Sequence, residues 1–216
     1  MSQNKKISDA VIKRLPRYYR YLRDLLQAKI NRISSTELSK RMSVTASQIR
    51  QDLNCFGGFG QQGYGYNVES LHAEIGNILG VNEVFNFIII GAGNLGRALA
   101  NYQNFERRGF KLVGIFDTNE KVIGEDIQGV RVETIDNLTQ PYVQENHIDI
   151  VMLCVPFDKT PAIAEYSAKI GIKGLWNFSP MDLKLPYDVI IENVHLSDSL
   201  MVLGYKLRQK FKSDSF

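Results

Sequence analysis

The stretch VFNFIIIGAGNLG, residues 84–96, decides the fold of the larger part of this chain. Its apolar run, rich in Ile and Phe, predicts a buried strand of a parallel sheet. The glycines that follow have the spacing G-x-G-x-x-G. Gly91 permits a tight turn, Gly93 lets a pyrophosphate approach the backbone, and Gly96 lets the next helix pack on the strand. The N-terminus of that helix offers free N–H groups to phosphate.

A second strand strengthens the interpretation of this turn. Residues 95–108 are compatible with one helix, and residues 111–116 with a strand that ends in Asp117, 26 residues after Gly91. An acidic residue at that strand tip holds a ribose 2′-hydroxyl in dinucleotide-binding domains. Asp117 favours NAD over NADP, because a carboxylate repels a 2′-phosphate. The alternative is a glycine turn with no nucleotide.

Composition limits the class of protein. The 216 residues suffice for one large domain or two small ones. The polar residues 1–6 contain no signal-peptide core, and the best apolar run is too short to span a bilayer. The two cysteines, Cys55 and Cys154, match neither a disulfide framework nor a zinc site. We therefore expect a cytoplasmic protein without a membrane segment or a metal.

Charge is distributed unevenly along the chain. Residues 1–80 contain 12 Lys and Arg against 6 Asp and Glu, whereas residues 81–216 contain 14 against 17. A basic first third followed by a slightly acidic remainder predicts two domains, of which the first binds a polyanion.

Residues 8–30 are predicted to form a helix in which Pro16 marks a new first turn. Four apolar residues at helical spacing are expected to face a core: Tyr18, Leu22, Leu25 and Leu26. Three arginines recur along another face: Arg17, Arg20 and Arg23. That face is either solvated or in contact with phosphate or another domain.

Residues 34–54 have the pattern of a helix-turn-helix. Ser34 with Glu37 and Thr45 with Gln48 each fit a capping box, which opens a helix. The second helix is predicted to expose side chains that reach base edges and phosphates in a major groove. Its candidate DNA-binding residues are Thr45, Ser47, Gln48, Arg50 and Gln51. A helical hairpin with no nucleic-acid role remains the alternative.

The segment FGGFGQQGYGY, residues 56–66, contains five glycines and four aromatic residues. Such a segment is too rich in glycine for a helix and predicts a hairpin with its tip near residues 61–63. A hairpin directly after a recognition helix is a wing, which lies along the DNA backbone or enters the minor groove. Gln61, Gly63 and Tyr64 complete the candidate DNA-binding residues.

The remainder of the chain alternates strands and helices, which predicts a doubly wound sheet. Strands are expected at 130–132, 148–155, 173–176 and 189–191, with helices at 137–146 and 159–170. Ligands bind at the carboxyl ends of such strands. The candidate cofactor-binding residues at these ends are Gly91, Ala92, Gly93, Asn94, Leu95, Gly96, Asp117, Val155, Pro156, Asn177 and Phe178.

A last helix is predicted from about Ser197 to Phe211, with an apolar stripe of Leu200, Leu203, Leu207 and Phe211. No strand follows that would require this helix as a crossover. Its apolar face must cover its own domain or enter a partner protomer, and we favour the partner.

Taken together, these residues resemble the bacterial redox-sensing repressor family called Rex, over nearly the whole chain. The motifs that carry the resemblance are Lys13-Arg14-Leu15-Pro16, residues 35–66 with Gln48-Ile49-Arg50, Gly91–Gly96, Phe116-Asp117, Cys154-Val155-Pro156, Gly171-Ile172-Lys173-Gly174, Asn177-Phe178-Ser179-Pro180 and Glu192-Asn193-Val194.

The resemblance implies an α/β protein with a winged-helix domain (residues 1–80), a Rossmann domain (81–196) and a C-terminal helix exchanged between protomers (197–216). It implies a homodimer that binds double-stranded operator DNA when NADH is low and releases it when NADH binds, with NADH and NAD⁺ as competing ligands. By the same resemblance, Tyr102 and Arg20 match positions that sense the oxidation state of the nicotinamide.

The chain departs from the family pattern at a few positions. Gln51, Gln61 and Gln62 stand where the family often has Lys or Arg, so positive charge is missing from the expected DNA face. His195 stands where the family usually has an Asp that pairs with the arginine matched here by Arg20. We expect NAD⁺ to promote DNA binding only weakly, unless His195 is simply a polar surface residue.

Two other functions compete with that of a non-enzymatic repressor. A small NAD-dependent oxidoreductase needs a proton donor or acceptor near its substrate, and the chain contains only His72, His147 and His195 as histidines. A CoA-binding protein is the other, because this Rossmann variant resembles the domains of CoA ligases. Asp117 favours a ribose ligand over CoA.

Overall fold

A computed structural model describes residues 7–56, 60–61 and 64–214, with residues 60 and 61 described by their backbone alone. The chain divides between Glu83 and Val84 into two units, each with its own internal packing. Residues 1–83 are called the first unit below, and residues 84–216 the second unit.

The first unit is mainly helical. Its elements are α1 (Asp9–Ile12), α2 (Leu15–Gln27), β1 (Arg32–Ile33), α3 (Ser35–Met42), α4 (Ala46–Asn54), β2 (Gly60–Gln61), β3 (Gly65–Asn67) and α5 (Val68–Ile78). The single helix expected over residues 8–30 is two helices that break at residues 13–14. Pro16 lies in the first turn of α2, where its missing N–H costs no hydrogen bond.

The core of the first unit lies between α2, α5 and the pair formed by α3 and α4. Its largest fully buried side chains include Tyr18, Leu22 and Leu25 of α2, as the helical spacing predicted. Leu26 is only partly buried and packs against the edge of this core. The opposite face of α2 therefore carries its arginines.

The two predicted capping boxes have different outcomes. Ser34 accepts from the backbone N–H of Glu37, and the Glu37 side chain accepts from that of Ser34, so the first box is complete. Thr45 accepts a hydrogen bond from the backbone N–H of Gln48 at 3.1 Å. The Gln48 side chain does not return to Thr45, because its amide is bonded elsewhere.

The wing is built on three short antiparallel strands in the order β1-β3-β2. Gly60 pairs with Tyr66 and Gln61 with Gly65, which is the predicted hairpin. The pairing of β1 with β3 was not predicted, since two residues are too few for a sequence period. Gly65 has φ +71, and a Cβ there would lie 2.7 Å from the Ile33 carbonyl oxygen.

The second unit is a seven-stranded sheet flanked by helices. Its elements are β4 (Phe85–Ile90), α6 (Asn94–Ala100), β5 (Phe110–Asp117), β6 (Asp126–Ile127), β7 (Val130–Thr134), α7 (Gln140–Glu145), β8 (Ile148–Leu153), α8 (Thr160–Lys169), β9 (Gly174–Asn177), β10 (Ile190–Asn193) and α9 (Leu196–Ser213).

The order of the strands is β10-β9-β8-β4-β5-β7-β6, with β6 antiparallel to its neighbour β7 and the other six strands parallel. Counted along the chain from β4, those six lie in the order 3-2-1-4-5-6 of Rossmann folds. The strand order reverses between β4 and β8. A crevice for ligands is expected outside the carboxyl ends of these two strands.

The helix after the glycine turn is shorter than expected. It ends at Ala100, whereas the sequence pattern suggested one helix through Arg108; a 3₁₀ turn follows at Glu106–Arg108. Asn101 caps the end, because its side-chain amide donates to the Arg97 carbonyl at 2.7 Å. The chain then turns and packs Phe105 edge-on against Phe87.

Helix α9 is exposed along its length within the chain. Its most exposed large apolar side chains include Leu200 at 68 % and Met201 at 64 %. Within the described ranges, every helix falls short of the length and apolar character that crossing a bilayer requires.

Candidate functional site

The glycine turn between β4 and α6 has the geometry that its sequence predicted. Gly91 has φ +104, and a Cβ there would lie 2.4 Å from the Cys154 carbonyl oxygen. A Cβ on Gly96 would lie 1.9 Å from the Gly91 carbonyl oxygen, so only glycine fits where α6 crosses β4. A Cβ on Gly93 would meet no atom of the described residues within 4 Å. Packing therefore explains two of the three glycines and leaves room beside the third.

Asp117 fastens this turn to the end of β5. Its Oδ2 accepts the backbone N–H of Ala92 at 2.6 Å, and its Oδ1 accepts that of Asn119 at 2.8 Å. The contact forms because β4 and β5 are parallel neighbours, so their carboxyl ends meet at one edge. A carboxylate has about four lone-pair sites, so two remain for a ligand hydroxyl.

Arg97 binds the same residue, Ala92, through its carbonyl group. Its Nε donates to the Ala92 carbonyl at 2.9 Å, and its guanidinium pairs with Glu125 in the loop before β6. Neither Arg97 nor Glu125 was predicted, because no local pattern relates residues 28 positions apart. The backbone of Ala92 is thus bonded on both sides before any ligand arrives.

A cavity of about 720 Å³ lies at the carboxyl ends of β4 and β8. It brings together five predicted residues: Gly91, Gly93, Asp117, Val155 and Pro156. The remaining walls come from residues that were not predicted, namely Ile90, Thr118, Ile135, Cys154, Lys159, Ala162 and Ile163. Ala92, Asn94, Leu95 and Gly96 belong to the turn and the start of α6 and do not line the cavity. Its size is typical of a small-molecule site.

Cys154 is one of the residues that line this cavity. Burial raises the pKa of Cys154 to about 12, so the thiol stays neutral at physiological pH. Cys154 is therefore an unreactive wall residue, in agreement with its position at the end of an apolar strand.

Asn177 makes side-chain contacts within the protein that were not predicted. Its side chain is fully buried and donates to the Met181 carbonyl at 2.7 Å and to Asn193 Oδ1 at 2.8 Å. Its own Oδ1 accepts the backbone N–H of Ser179 at 3.0 Å. The side chain thus fastens the loop after β9, and cofactor binding by Asn177 stays a prediction.

Tyr102 and Phe178 lie at the two ends of a row of aromatic rings outside the cavity walls. Ring centroids are 4.8 Å apart between Tyr102 and Phe105, 5.6 Å between Phe105 and Trp176, and 4.6 Å between Trp176 and Phe178. Tyr102 is 47 % exposed, so its hydroxyl end is accessible. The row joins two predicted residues that are distant in sequence.

His195 precedes α9 as its N-cap residue. Its Nε2 lies 3.0 Å from Asp182 Oδ1, a partner that the sequence analysis did not identify. Arg20, the other member of the predicted redox switch, belongs to the first unit. Its guanidinium carbon lies 5.9 Å from the ring centroid of Tyr21, and its side chain is exposed.

The second helix of the helix-turn-helix, α4, presents a polar surface. Ser47, Arg50 and Gln51 are exposed, as predicted. Arg50 Nη1 donates to Ser35 Oγ at 3.0 Å, which links α4 to the start of α3. Thr45 uses its hydroxyl as the helix cap. These side chains share one solvent-facing side of the helix pair.

Gln48 was predicted to be exposed on α4, and this prediction is wrong in part, whereas its contact with DNA stays a prediction. The side chain is half-buried, and its Nε2 donates to Asp52 Oδ1 at 2.8 Å, one helical turn further on. One N–H of the Gln48 amide is thus already used in a hydrogen bond within the first unit. The cause is a tertiary network around Asp52 that local sequence spacing does not reveal.

Asp52 is fully buried and accepts four hydrogen bonds. Arg14 donates two, at 2.6 and 2.7 Å, and Tyr18 and Gln48 donate one each, at 2.9 and 2.8 Å. Burial by itself would raise the pKa of Asp52, but the hydrogen bonds from Arg14, Gln48 and Tyr18 outweigh it and hold the pKa below its usual value. The network joins α2 to α4.

On the wing, Tyr64 is 70 % exposed. Its carbonyl accepts a hydrogen bond from Arg32 at 3.3 Å, and the Arg32 guanidinium carbon lies 6.0 Å from its ring centroid. Arg32 thus supports the wing from the neighbouring strand β1. The predicted contacts of the Gln61 side chain and of Gly63 fall outside the described residues, as does Gln62.

Comparison with known proteins finds a matching family model in each unit. Residues 6–54 match the model of a putative DNA-binding protein N-terminus, and residues 82–181 match that of a CoA binding domain. The redox-sensing transcriptional repressor Rex of Caldanaerobacter subterraneus subsp. tengcongensis is 57 % identical over 210 residues, which are 97 % of this chain and 93 % of the relative. The chain belongs to the Rex family of redox-sensing transcriptional repressors.

Two crystal structures of RSP, a Rex-family repressor, are similar to this chain. One holds β-NADH, with 51 % identity, a TM-score of 0.89 and coverage of 98 % of this chain and 99 % of RSP. The other holds β-NAD⁺ and operator DNA, with 54 % identity, a TM-score of 0.87 and coverage of 97 % and 96 %. The expected Rex family and its α/β fold, with a DNA-binding N-terminus and a Rossmann-like domain, are confirmed. The exchange of α9 between protomers stays a prediction.

Proposed function

We propose that this chain binds operator DNA through its first unit when NADH is low, and releases it when NADH occupies the cavity of the second unit. The observation that carries the proposal is the cavity at the strand-order reversal, where the glycine turn, Asp117 and the residues Val155 and Pro156 meet. The RSP structures with NADH and with NAD⁺ and operator DNA support it.

The residues at the cavity fit a dinucleotide. Gly93 leaves open space where a side chain would intrude, and Gly91 and Asp117 hold the backbone turn in place. In this proposal the free lone pairs of Asp117 accept a ribose hydroxyl, which favours NAD(H) over its 2′-phosphorylated form. When bound, the dinucleotide supplies the redox signal, because its nicotinamide ring is cationic in NAD⁺ and neutral in NADH.

Arg20, Tyr102 and His195 remain the proposed redox switch. Tyr102 offers an exposed phenol at the end of the aromatic row, and Arg20 an exposed cation on α2. His195 brings an imidazole that is already 3.0 Å from Asp182. A carboxylate is therefore present beside position 195, although it belongs to a different residue from the one that the family pattern suggests.

The proposed DNA surface consists of the exposed side of α4 together with the wing. Arg50 supplies a charged donor for base edges or phosphates, and Ser47 and Gln51 supply neutral polar groups. Because Gln51, Gln61 and Gln62 are neutral, we expect fewer released counterions and a shallower dependence of affinity on salt than Lys or Arg would give.

We further propose that the protein acts as a homodimer and does no catalysis. The exposed apolar side chains of α9 suit the same helix of a second copy, and a dimer suits a palindromic operator. The histidines offer little for hydride-transfer chemistry: His72 stacks on Tyr19 at 4.2 Å in the first unit, and His147 precedes β8. A repressor of this kind acts beside chromosomal DNA, which in a bacterium is cytoplasmic, and this proposal invokes no metal.

The test is a titration of fluorescent palindromic DNA with the full chain, alone, with NAD⁺ and with NADH. We expect binding without cofactor, release by NADH, and constant NADH absorbance at 340 nm. Loss of absorbance with candidate substrates would favour an oxidoreductase. Competition of CoA for the cavity, with no effect of NADH on DNA affinity, would contradict the proposed ligand.

A further inference from the structure

We infer that Asp52 is a positioning residue that fixes the side-chain amide of Gln48, and that the fixed amide reads one base pair of the operator. The inference rests on the proposed DNA-binding function. It adds a specificity-determining pair, in which Gln48 touches the DNA and Asp52 acts through Gln48.

The hydrogen bond from Gln48 to Asp52 determines which way the amide points. A carboxylate only accepts hydrogen bonds, so the group that faces Asp52 Oδ1 must be the NH₂ of Gln48, at 2.8 Å. The carbonyl Oε1 then points away from Asp52 and accepts no hydrogen bond from the described residues. An unrestrained glutamine would rotate its amide freely and present either end.

Asp52 itself is held rigidly, so its orientation of Gln48 is definite. The carboxylate is fully buried, and Arg14 binds both of its oxygens, at 2.6 and 2.7 Å. Tyr18 adds a third donor at 2.9 Å. These two partners come from the start of α2, whereas Asp52 and Gln48 are on α4. Packing between the two helices therefore fixes the orientation of the Gln48 side-chain amide.

The oriented amide suits one kind of base edge. One N–H of Gln48 is used by Asp52, which leaves its carbonyl as an acceptor and its second N–H as a donor. Adenine presents a complementary N6 donor and N7 acceptor in the major groove. The neighbouring Ser47 and Gln51 are exposed, with no such partner holding them among the described residues. On this surface Gln48 is held by Asp52 and Arg50 by Ser35, and of the two only Gln48 carries both a donor and an acceptor for a base edge.

The test requires a variant that removes the acceptor without stranding a charge. Removal of one partner of a buried ion pair is strongly destabilising, whereas replacement of both by apolar residues is often tolerated. The double variant Arg14→Met/Asp52→Leu serves this purpose. Tyr18→Phe is its matched control, because it removes a donor from the same carboxylate and leaves the bond to Gln48.

The wild type is first allowed to select its preferred palindrome from random duplex DNA, and each base pair is then replaced singly. We expect Gln48→Ala and the double variant to lose discrimination, by about 5- to 150-fold, at the same A·T pair. Tyr18→Phe is expected to keep that discrimination. Non-specific affinity and the salt slope should be unchanged in all variants, because no phosphate contact is removed.

Three results would overturn the inference alone. In the first, Gln48→Ala keeps full discrimination at the A·T pair. In the second, Gln48→Ala loses this discrimination but the double variant keeps it. In the third, the double variant weakens binding equally for every sequence, which is the result of a merely structural role. A wild type that selects no palindrome would overturn the proposed function together with this inference, so the two failures are distinguishable.

A measurement on the wild type does not depend on the double variant. The side-chain amide signal of Gln48 is assigned by its disappearance in Gln48→Ala, and the exchange of its protons with D₂O is followed by NMR. We expect one of the two protons to exchange more slowly than those of Gln51, which is exposed on the same helix. Equal exchange of all four protons would overturn the inference.

Discussion

Asp52 and Asp117 hold the two proposed binding elements, and they differ in what they leave available. Asp52 is fully buried, accepts four hydrogen bonds and pairs with a cation. Asp117 is half-buried and accepts two backbone N–H groups beside an open cavity. The first is saturated and can act only through its partners, whereas the second positions a turn and keeps capacity for a ligand.

The largest difference is expected in stability. Asp52→Ala should destabilise the first unit by about 2–4 kcal/mol, because the buried Tyr18 hydroxyl and the Gln48 amide lose their charged acceptor, while Arg14 keeps contact with solvent. Denaturation is followed by circular dichroism and by the fluorescence of Trp176, the single tryptophan, which lies in the second unit. Only the transition of the first unit should shift. A change below about 1 kcal/mol would show that Asp52 is as dispensable as a surface acid.

Asp117→Ala tests whether Asp117 binds a ligand. NADH binding should weaken by about 1.5–3 kcal/mol through loss of a charged hydrogen bond, and DNA binding without cofactor should persist. Isothermal titration with NADH and anisotropy with operator DNA measure the two effects. Asp117→Asn is the control, since it keeps one acceptor oxygen for Ala92. Normal NADH affinity in the Ala variant would remove Asp117 from the ribose site.

Arg50→Ala tests the surface that Asp52 is proposed to organise. Specific DNA binding should fall by about 1–3 kcal/mol if Arg50 contacts a base edge, with NADH binding retained. Arg50→Ala also removes the hydrogen bond between Arg50 and Ser35. Ser35→Ala is the control, because it removes that bond and keeps the guanidinium. Unchanged operator affinity in Arg50→Ala would place this residue outside the recognition surface.

The pH dependence of stability should reveal the contribution of Asp52. Because the pKa of Asp52 is lowered in the folded protein, its stabilisation is present above the unfolded value of about 3.9 and is lost as the pH falls through the lower folded value. Acid should therefore weaken the first unit below about pH 4. In Arg14→Met/Asp52→Leu this loss should be smaller, and an equal loss would assign the acid effect to other groups.

The smallest expected effect concerns His195. His195→Asp should strengthen the promotion of DNA binding by NAD⁺, since it restores the carboxylate of the family pattern. Asp198, in the first turn of α9, could pair with Arg20 in place of the family's Asp, and Asp198→Ala should matter only in that case. Asp182→Ala should matter only if Asp182, the neighbour of His195, makes that pair. Operator affinity with NAD⁺, with NADH and without cofactor decides among them. A strong NAD⁺ effect in the wild type that all three variants preserve would contradict this role.

Several site residues were predictable because their chemistry is local. Gly91 and Gly96 were identified from spacing, and each is required by a backbone contact under 2.5 Å that any Cβ would make. The Ser34 capping box needed only residues three apart. The end of α6 at Ala100 was missed, because it depends on Phe105 packing against rings of other strands.

The sequence by itself determined the two-part organisation, the order of most helices and strands, the glycine turn and the position of Asp117 at a strand end, since these depend on local periodicity and backbone sterics. Only the tertiary structure decided what Asp52, Gln48 and Asn177 do. Their partners are buried polar groups that satisfy one another, and Arg14 is 38 residues from Asp52. Burial makes such pairing compulsory, but which partner is within reach depends on how the helices and strands pack.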